Sequence, residues 1–314
     1  YTMIEALEDD HWKSLKSAAV KNIIASCAGL YLEAVATEQE ATPGSTIKLT
    51  LEAINRSPIE MQLVSLTSLP DNKNTPQNIL LKNNNDKRVN LQIQLPNTIE
   101  YTQPYWLKEK ASVGMYTVSN QENIGIPDII RQVKVVFNVK MNGVEFPFER
   151  TVVYKYNDGV KGEMYNFLDI VPEVTTSILE KVLIFGTTKS KMVPVKVRAG
   201  KDGIKGNLQL DLPKSWTVSP KEIPFALEKK GNEQIFYFEV TPPVNPEETV
   251  AKSIVTVDNK RFDKDQTIID YSHITKQMVL KPAESKCIRI DLKVNGDAIA
   301  YIMGAGDEVP ESLE

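Results

Sequence analysis

Histidine and cysteine are scarce in this sequence, two of each in 314 residues, and that removes most of the chemistry a sequence can announce. No GxSxG, HExxH, P-loop or CxxC pattern occurs, so the signatures of a serine hydrolase, a zinc peptidase and a nucleotide hydrolase are missing. Cys27 and Cys287 stand far apart without metal-type spacing and read as single buried thiols. No apolar run approaches the roughly 18 to 20 residues of a membrane helix, so no membrane span is expected, and no charged-then-apolar leader precedes residue 30. The 37 basic and 41 acidic residues are scattered without a basic block, which argues against nucleic acid as a partner.

What is present is the composition of a soluble globular protein, 41% hydrophobic and 25% charged, in a length that suits roughly two to three domains. Residues 9 to 28 carry helical periodicity, with Leu15, Ala18, Ala19, Ile23 and Cys27 predicted as the apolar, packed stripe and Gly29 as the stop. The acidic start "EDDHW" suits the positive end of a helix dipole. From Tyr31 onward the period becomes two. Ile47, Leu49, Leu51 and Ala53 alternate with polar partners, as do Val89, Leu91, Ile93 and Leu95. Asn142-Gly143 between two alternating runs predicts a two-residue hairpin.

A second series, including "VPVKVRAG", "GNLQLDLP", "IPFAL", "QIFYFEVTPP" and "KSIVTVD", gives short strands at regular spacing. The expected fold is mainly β, tandem Ig-like antiparallel β-sandwiches behind an N-terminal helix, with a truncated α/β start at the C-terminus. The predicted division is a connector helix over 1–30, a first sandwich over 31–162, a second over 163–275 and the opening of a further domain over 276–314. The boundary between the two sandwiches is placed in "YNDGVKGEMYNF". Near the end, "IAYIMGAGD" reads as a strand, a turn using Gly304 and Gly306, and a helix start at Asp307. With Tyr1 in place of an initiator Met, this ending predicts an interior piece of a longer chain.

Few residues are candidates for a site. Asp9, Asp10 and His11 are consecutive on a helix, about 100° apart around its axis, and cannot all face one ion. His273 lacks any Cys or Asp at ligand spacing and reads as a hydrogen-bonded linker residue. The run "YTQPYWL" supplies Tyr101, Tyr105 and Trp106, which suit either packing at the end of a sandwich or a sugar ring. Tyr105 and Trp106 are taken as the ligand-binding candidates, and Trp216 as core. Paired carboxylates on the sandwiches would suit glycoside hydrolysis, but one sequence cannot show that two acids face each other. No catalytic residue and no metal ligand is assigned.

The ordered set "IIASCAGLYLEA", "TPGSTIKLTLEAINRSP", "YTQPYWL", "IPFAL...FYFEVTPP" and "YIMGAGDEVPESLE" resembles the region downstream of the zinc domain in large PIG-L/LmbE-like deacetylases of Bacteroidetes. "GNLQLDLPKSWTVSP" also looks like the NPCBM-associated sandwich found beside alpha-galactosidase modules. The resemblance implies a catalytic domain N-terminal to this region, in which a His-Pro-Asp-Asp type motif holds zinc that activates water to hydrolyse an N-acetyl amide on a sugar. That motif is absent here, so the activity transfers to no residue of this chain and zinc is expected only in the other domain. What the resemblance implies for this chain is an accessory region with other domains of the same polypeptide as partners, carbohydrate as a further candidate partner, and an exported setting in the periplasm or cell envelope.

Overall fold

The computed structural model describes residues 1–293, 295, 296, 298–306 and 309. A short helix α1 (Thr2–Glu5) precedes α2 (Asp10–Cys27), whose first turn is capped by the Asp9 carboxylate accepting the Trp12 N–H at 3.0 Å. Gly29, at φ +61°, ends it. Helix and limits match the expectation, but the packed face does not. Leu15 and Ile23 are 50% and 59% exposed, Ala18, Ala19 and Cys27 are exposed too, and the buried positions are Ser17 and Ala25. Small residues face the sandwich, joined by Ala28 and the partly buried Ile24, while the Ser17 hydroxyl donates to Glu5 at 2.5 Å. Spacing identifies an apolar stripe, yet the close approach of helix to sheet selects the small one.

The first sandwich uses β1 (Leu30–Ala36), β2 (Glu40–Ala41), β3 (Thr46–Asn55), β4 (Met61–Leu69), β5 (Lys73–Leu81), β6 (Lys87–Gln94), β7 (Lys134–Met141), β8 (Val144–Thr151), β9 (Val153–Asp158) and β10 (Gly162–Phe167). One sheet runs β10-β9-β1-β3-β6 and the facing one β5-β4-β7-β8. On β3 the alternation works as read, Ile47, Leu49, Leu51 and Ala53 pointing into the core. Asn142 and Gly143 take φ +46° and +85°, the left-handed pair a tight hairpin between β7 and β8 needs.

The second sandwich follows β11 (Asp169–Ile170) with β12 (Val174–Ile178), β13 (Val182–Phe185), β14 (Lys191–Ala199), β15 (Ile204–Asp211), β16 (Thr217–Ser219), β17 (Ile223–Leu227), β18 (Glu233–Thr241), β19 (Glu247–Val257) and β20 (Lys260–Phe262). It is completed by β23 (Glu284–Arg289), while β21 (Lys264–Ile269) and β22 (Gln277–Pro282) form a separate two-stranded sheet. Its sheets are β12-β14-β18-β16 and β13-β23-β19-β15-β17, with β20 on β19. Most pairs are antiparallel, but β1/β9, β2/β11 and β13/β23 are parallel. Trp216 is 5% exposed, edge-on to Phe185 and donating through Nε1 to Glu247 at 3.2 Å, which is the core role read from its sequence context.

Two boundaries move. The stretch expected to link the sandwiches is the β9/β10 hairpin of the first one, its turn held by the Asp158 carboxylate accepting the N–H groups of Val160 and Lys161. At the other end, residue 276 opens no new domain: β22 pairs back with β21, and β23 belongs to the second sandwich. β23 lies between β13 and β19, and Cys287 on it is fully buried in the second core. The expected α/β opening is thereby confined to residues beyond Arg289. Ala305 and Gly306, the latter at φ +74°, form the turn; among the described residues no strand is assigned beyond Arg289, and Asp307, where the helix start was read, lies outside the described residues.

Candidate functional site

The junction between the two sandwiches holds a set of interactions that the sequence does not announce. Residues 168 to 176 are all buried, so the link between the domains is a packed segment and not a flexible one. A buried backbone must find partners, and this one does. Asp169 N–H donates to Gln39 C=O at 2.9 Å and Val171 N–H to Ala41 C=O at 2.8 Å, making β11 a parallel partner of β2. Thr102 donates its N–H to Ile170 C=O, and its hydroxyl accepts from Ile170 N–H, both at 2.9 Å. Val171, Met278 and Leu280 then form a small apolar core of their own, covered by the ring of Tyr101, which also packs on the first core.

Charge complements this packing. Glu38 and Glu40 of the first sandwich meet Lys230 and Arg198 of the second, with Lys230 Nζ 2.8 Å from Glu38 and Arg198 3.1 Å from Glu40. Lys230 also donates to the Glu40 carbonyl. On the link itself, Glu173 is gripped by Lys201 and, at 3.0 Å, by Lys260. Burial works against the charge of Glu173, but hydrogen bonds from both lysines outweigh it and hold the carboxyl below its ordinary range. Asp169 behaves in the opposite way. Burial pushes its carboxyl up, and Arg131, paired to it at 2.7 Å, offsets only part of that.

The candidates singled out from sequence lie elsewhere. Tyr105 and Trp106 sit in a single 3-10 turn, both half-buried, their rings 4.9 Å apart at 88°, with the Tyr105 hydroxyl donating to Ile126 C=O at 3.3 Å. Perpendicular rings give no shared flat face. His11 and His273 are exposed, each against one aromatic neighbour, Trp12 and Tyr271. Among the described residues no three His, Cys, Asp or Glu side chains are grouped to hold a metal ion, and no helix is long and apolar enough to cross a membrane. Cys27 is exposed, contrary to expectation, and Cys287 is buried.

No family model matches the chain, and no curated protein matches it. Among solved structures it is similar to Salmonella alpha-2-macroglobulin reacted with methylamine, at 10% identity and a TM-score of 0.27, over 83% of this chain and 16% of that one. E. coli alpha-2-macroglobulin in its native conformation gives 8% identity and a TM-score of 0.24 over 83% and 16%. A protein of unknown function from Porphyromonas gingivalis W83 gives 8% and 0.19, over 82% of this chain and 99% of that one. The chain therefore spans about 16% of the length of the macroglobulins it resembles, and at such TM-scores these likenesses carry no functional argument.

Proposed function

We propose that this chain is a non-catalytic accessory region of a multidomain carbohydrate-directed deacetylase, a stiff two-sandwich arm that positions a zinc domain elsewhere in the polypeptide, or its substrate. The observation that supports it is the junction: a fully buried link with backbone partners on both sides and cross-domain ion pairs. Domains that hold one relative orientation transmit position, whereas domains on a flexible tether do not. The carbohydrate and deacetylase parts of the reading, and an envelope location, rest on the sequence resemblance. Glycan binding through Tyr105 and Trp106 is the alternative, and the crossed rings support it less well than stiffness is supported by the junction.

Small-angle scattering and amide relaxation test the arm directly. The intact chain should behave as one rigid particle, and Arg198→Glu with Lys230→Glu should release the two sandwiches to tumble separately. Separate tumbling of the unaltered chain would overturn the proposal. So would acetate release from N-acetylglucosamine derivatives by this chain above a buffer control. The alternative reading gains if glycan binding is found that Trp106→Ala abolishes with the fold intact.

A further inference from the structure

Beside the junction lies an open cleft of about 630 Å³ lined by both domains. Its size and its place between two domains are those of ligand sites in general. Its lining includes Tyr101 and the buried Phe262, together with Asn97, Glu100, Lys108 and Arg261. An apolar ring face bordered by planar amide, carboxylate and guanidinium groups suits a pyranose, which offers C–H bonds on one face and hydroxyls around its rim.

The charges in the cleft are unequally satisfied. Lys108 is paired with Glu100 at 3.0 Å, and Lys260 with Glu173 at 3.0 Å, a carboxylate it shares with Lys201. Arg261, exposed on β20, has no carboxylate within ion-pair distance among the described residues. Asn97 likewise makes no side-chain hydrogen bond among the described residues. One open guanidinium fork is the group that takes a carboxylate with two parallel hydrogen bonds.

We propose that this cleft binds an acidic sugar, the carboxylate of a uronic acid on Arg261, the ring against Tyr101 and hydroxyls on Asn97 and Glu100. The carbohydrate setting deepens the function proposed above, and it assigns the glycan contact to the junction cleft instead of to Tyr105 and Trp106. In this role the arm would hold an anionic glycan at a fixed distance from the zinc domain.

The test is titration calorimetry on the full chain with a glucuronate-containing tetrasaccharide, a neutral N-acetylglucosamine tetramer of equal length, and sodium acetate. The acidic tetrasaccharide should bind at least about tenfold more tightly than the neutral one, the worth of one charge-assisted pair. Arg261→Gln should remove that difference. Arg261→Lys, which keeps the charge but loses the fork, should retain part of it, and Tyr101→Phe should leave it largely in place because the ring stays. Arg261 is exposed at a sheet edge, so circular dichroism of the variant should be unchanged. Equal binding of acidic and neutral sugars, equal occupancy by acetate, an unchanged Arg261→Gln, or no binding to the folded chain would each overturn the inference. Scattering on the same samples reads the stiffness of the arm separately, so failure here and failure of the arm are told apart.

Discussion

The β-carbon that Gly200 lacks would lie 2.0 Å from the carbonyl oxygen of Pro172. Pro172 sits in the buried segment just before β12 and Gly200 directly follows β14, its partner strand, so the contact extends the β12/β14 ladder, with Gly200 N–H donating to Glu173 C=O at 2.8 Å. The φ of Gly200 is not in the left-handed region, so the requirement for glycine here is close approach of two backbones. A backbone oxygen cannot swing aside as a side chain can.

Gly200→Ala should therefore destabilise by about 1–3 kcal/mol, the range for overpacking a filled interior. Gly159→Ala is the control, because that glycine has ordinary φ and nothing within 4 Å of the added carbon. Chemical denaturation of both variants checks this, and a neutral Gly200→Ala would mean that the link shifts freely.

The cross-domain ion pairs should matter more than surface pairs usually do. Arg198 and Glu40 side chains are 23% and 13% exposed, and Arg198 also donates to Gln266 at 2.9 Å. Exposed pairs contribute little and fully buried ones are costly to break. For this intermediate case a double-mutant cycle on Arg198→Ala and Glu40→Ala should give a coupling of about 1–2 kcal/mol. The same cycle on Arg88 and Glu52, where Arg88 is 67% exposed, should give only a few tenths.

How much of this was legible in the sequence depends on range. Strands were readable because one face of each is buried, so the period of two is imposed at every step, as on β3. The β7/β8 hairpin was readable because Asn142-Gly143 admits left-handed backbone at both positions. Which face of α2 packs was not, since spacing gives a stripe but only the tertiary fit shows that Ser17 and Ala25 approach the sandwich. The link was misplaced because a polar hairpin turn at 158–162 has a linker's composition, while the true link, Leu168 to Glu173, is buried and mostly apolar. Glu38 and Lys230 are 192 residues apart, and nothing local in either announces the other. Tyr101 belongs to the aromatic run "YTQPYWL", but its position over the junction core is set by the tertiary fold.

Acid should weaken the junction through Glu173. Its carboxyl lies below the ordinary value in the folded chain, so the charged form is favoured by folding. That contribution is complete above the unfolded carboxyl value of about 4.3 and is lost as pH falls through the lower folded value. Asp169, raised mainly by burial, has the opposite sign: its contribution is present at low pH and lost as pH rises through its folded value. The two partly cancel in the native chain. Glu173→Gln should remove one of them, lowering stability at neutral pH and flattening the fall in melting temperature below pH 5. Parallel pH profiles for the two proteins would show that Glu173 is not held by its lysines.

The two thiols report on separate parts of the molecule. Cys27 is exposed near the end of α2, and Cys287 is fully buried on β23. Burial pushes the Cys287 thiol up to about 11, so even if reached it would be about a thousandth thiolate at pH 8, and thiolate is the reactive form. An aromatic disulfide reagent should label one thiol rapidly in the native chain, and Cys27→Ser should abolish that fast phase. Cys287 should then react only as the second sandwich opens, at a rate that follows its unfolding equilibrium. Since β23 is held between β13 and β19, Gly200→Ala, which strains the link and leaves that sheet untouched, should speed Cys287 labelling only if junction and second sandwich open together. Acceleration would make the two one cooperative unit; an unchanged rate alongside lowered overall stability would make the junction the first part to yield.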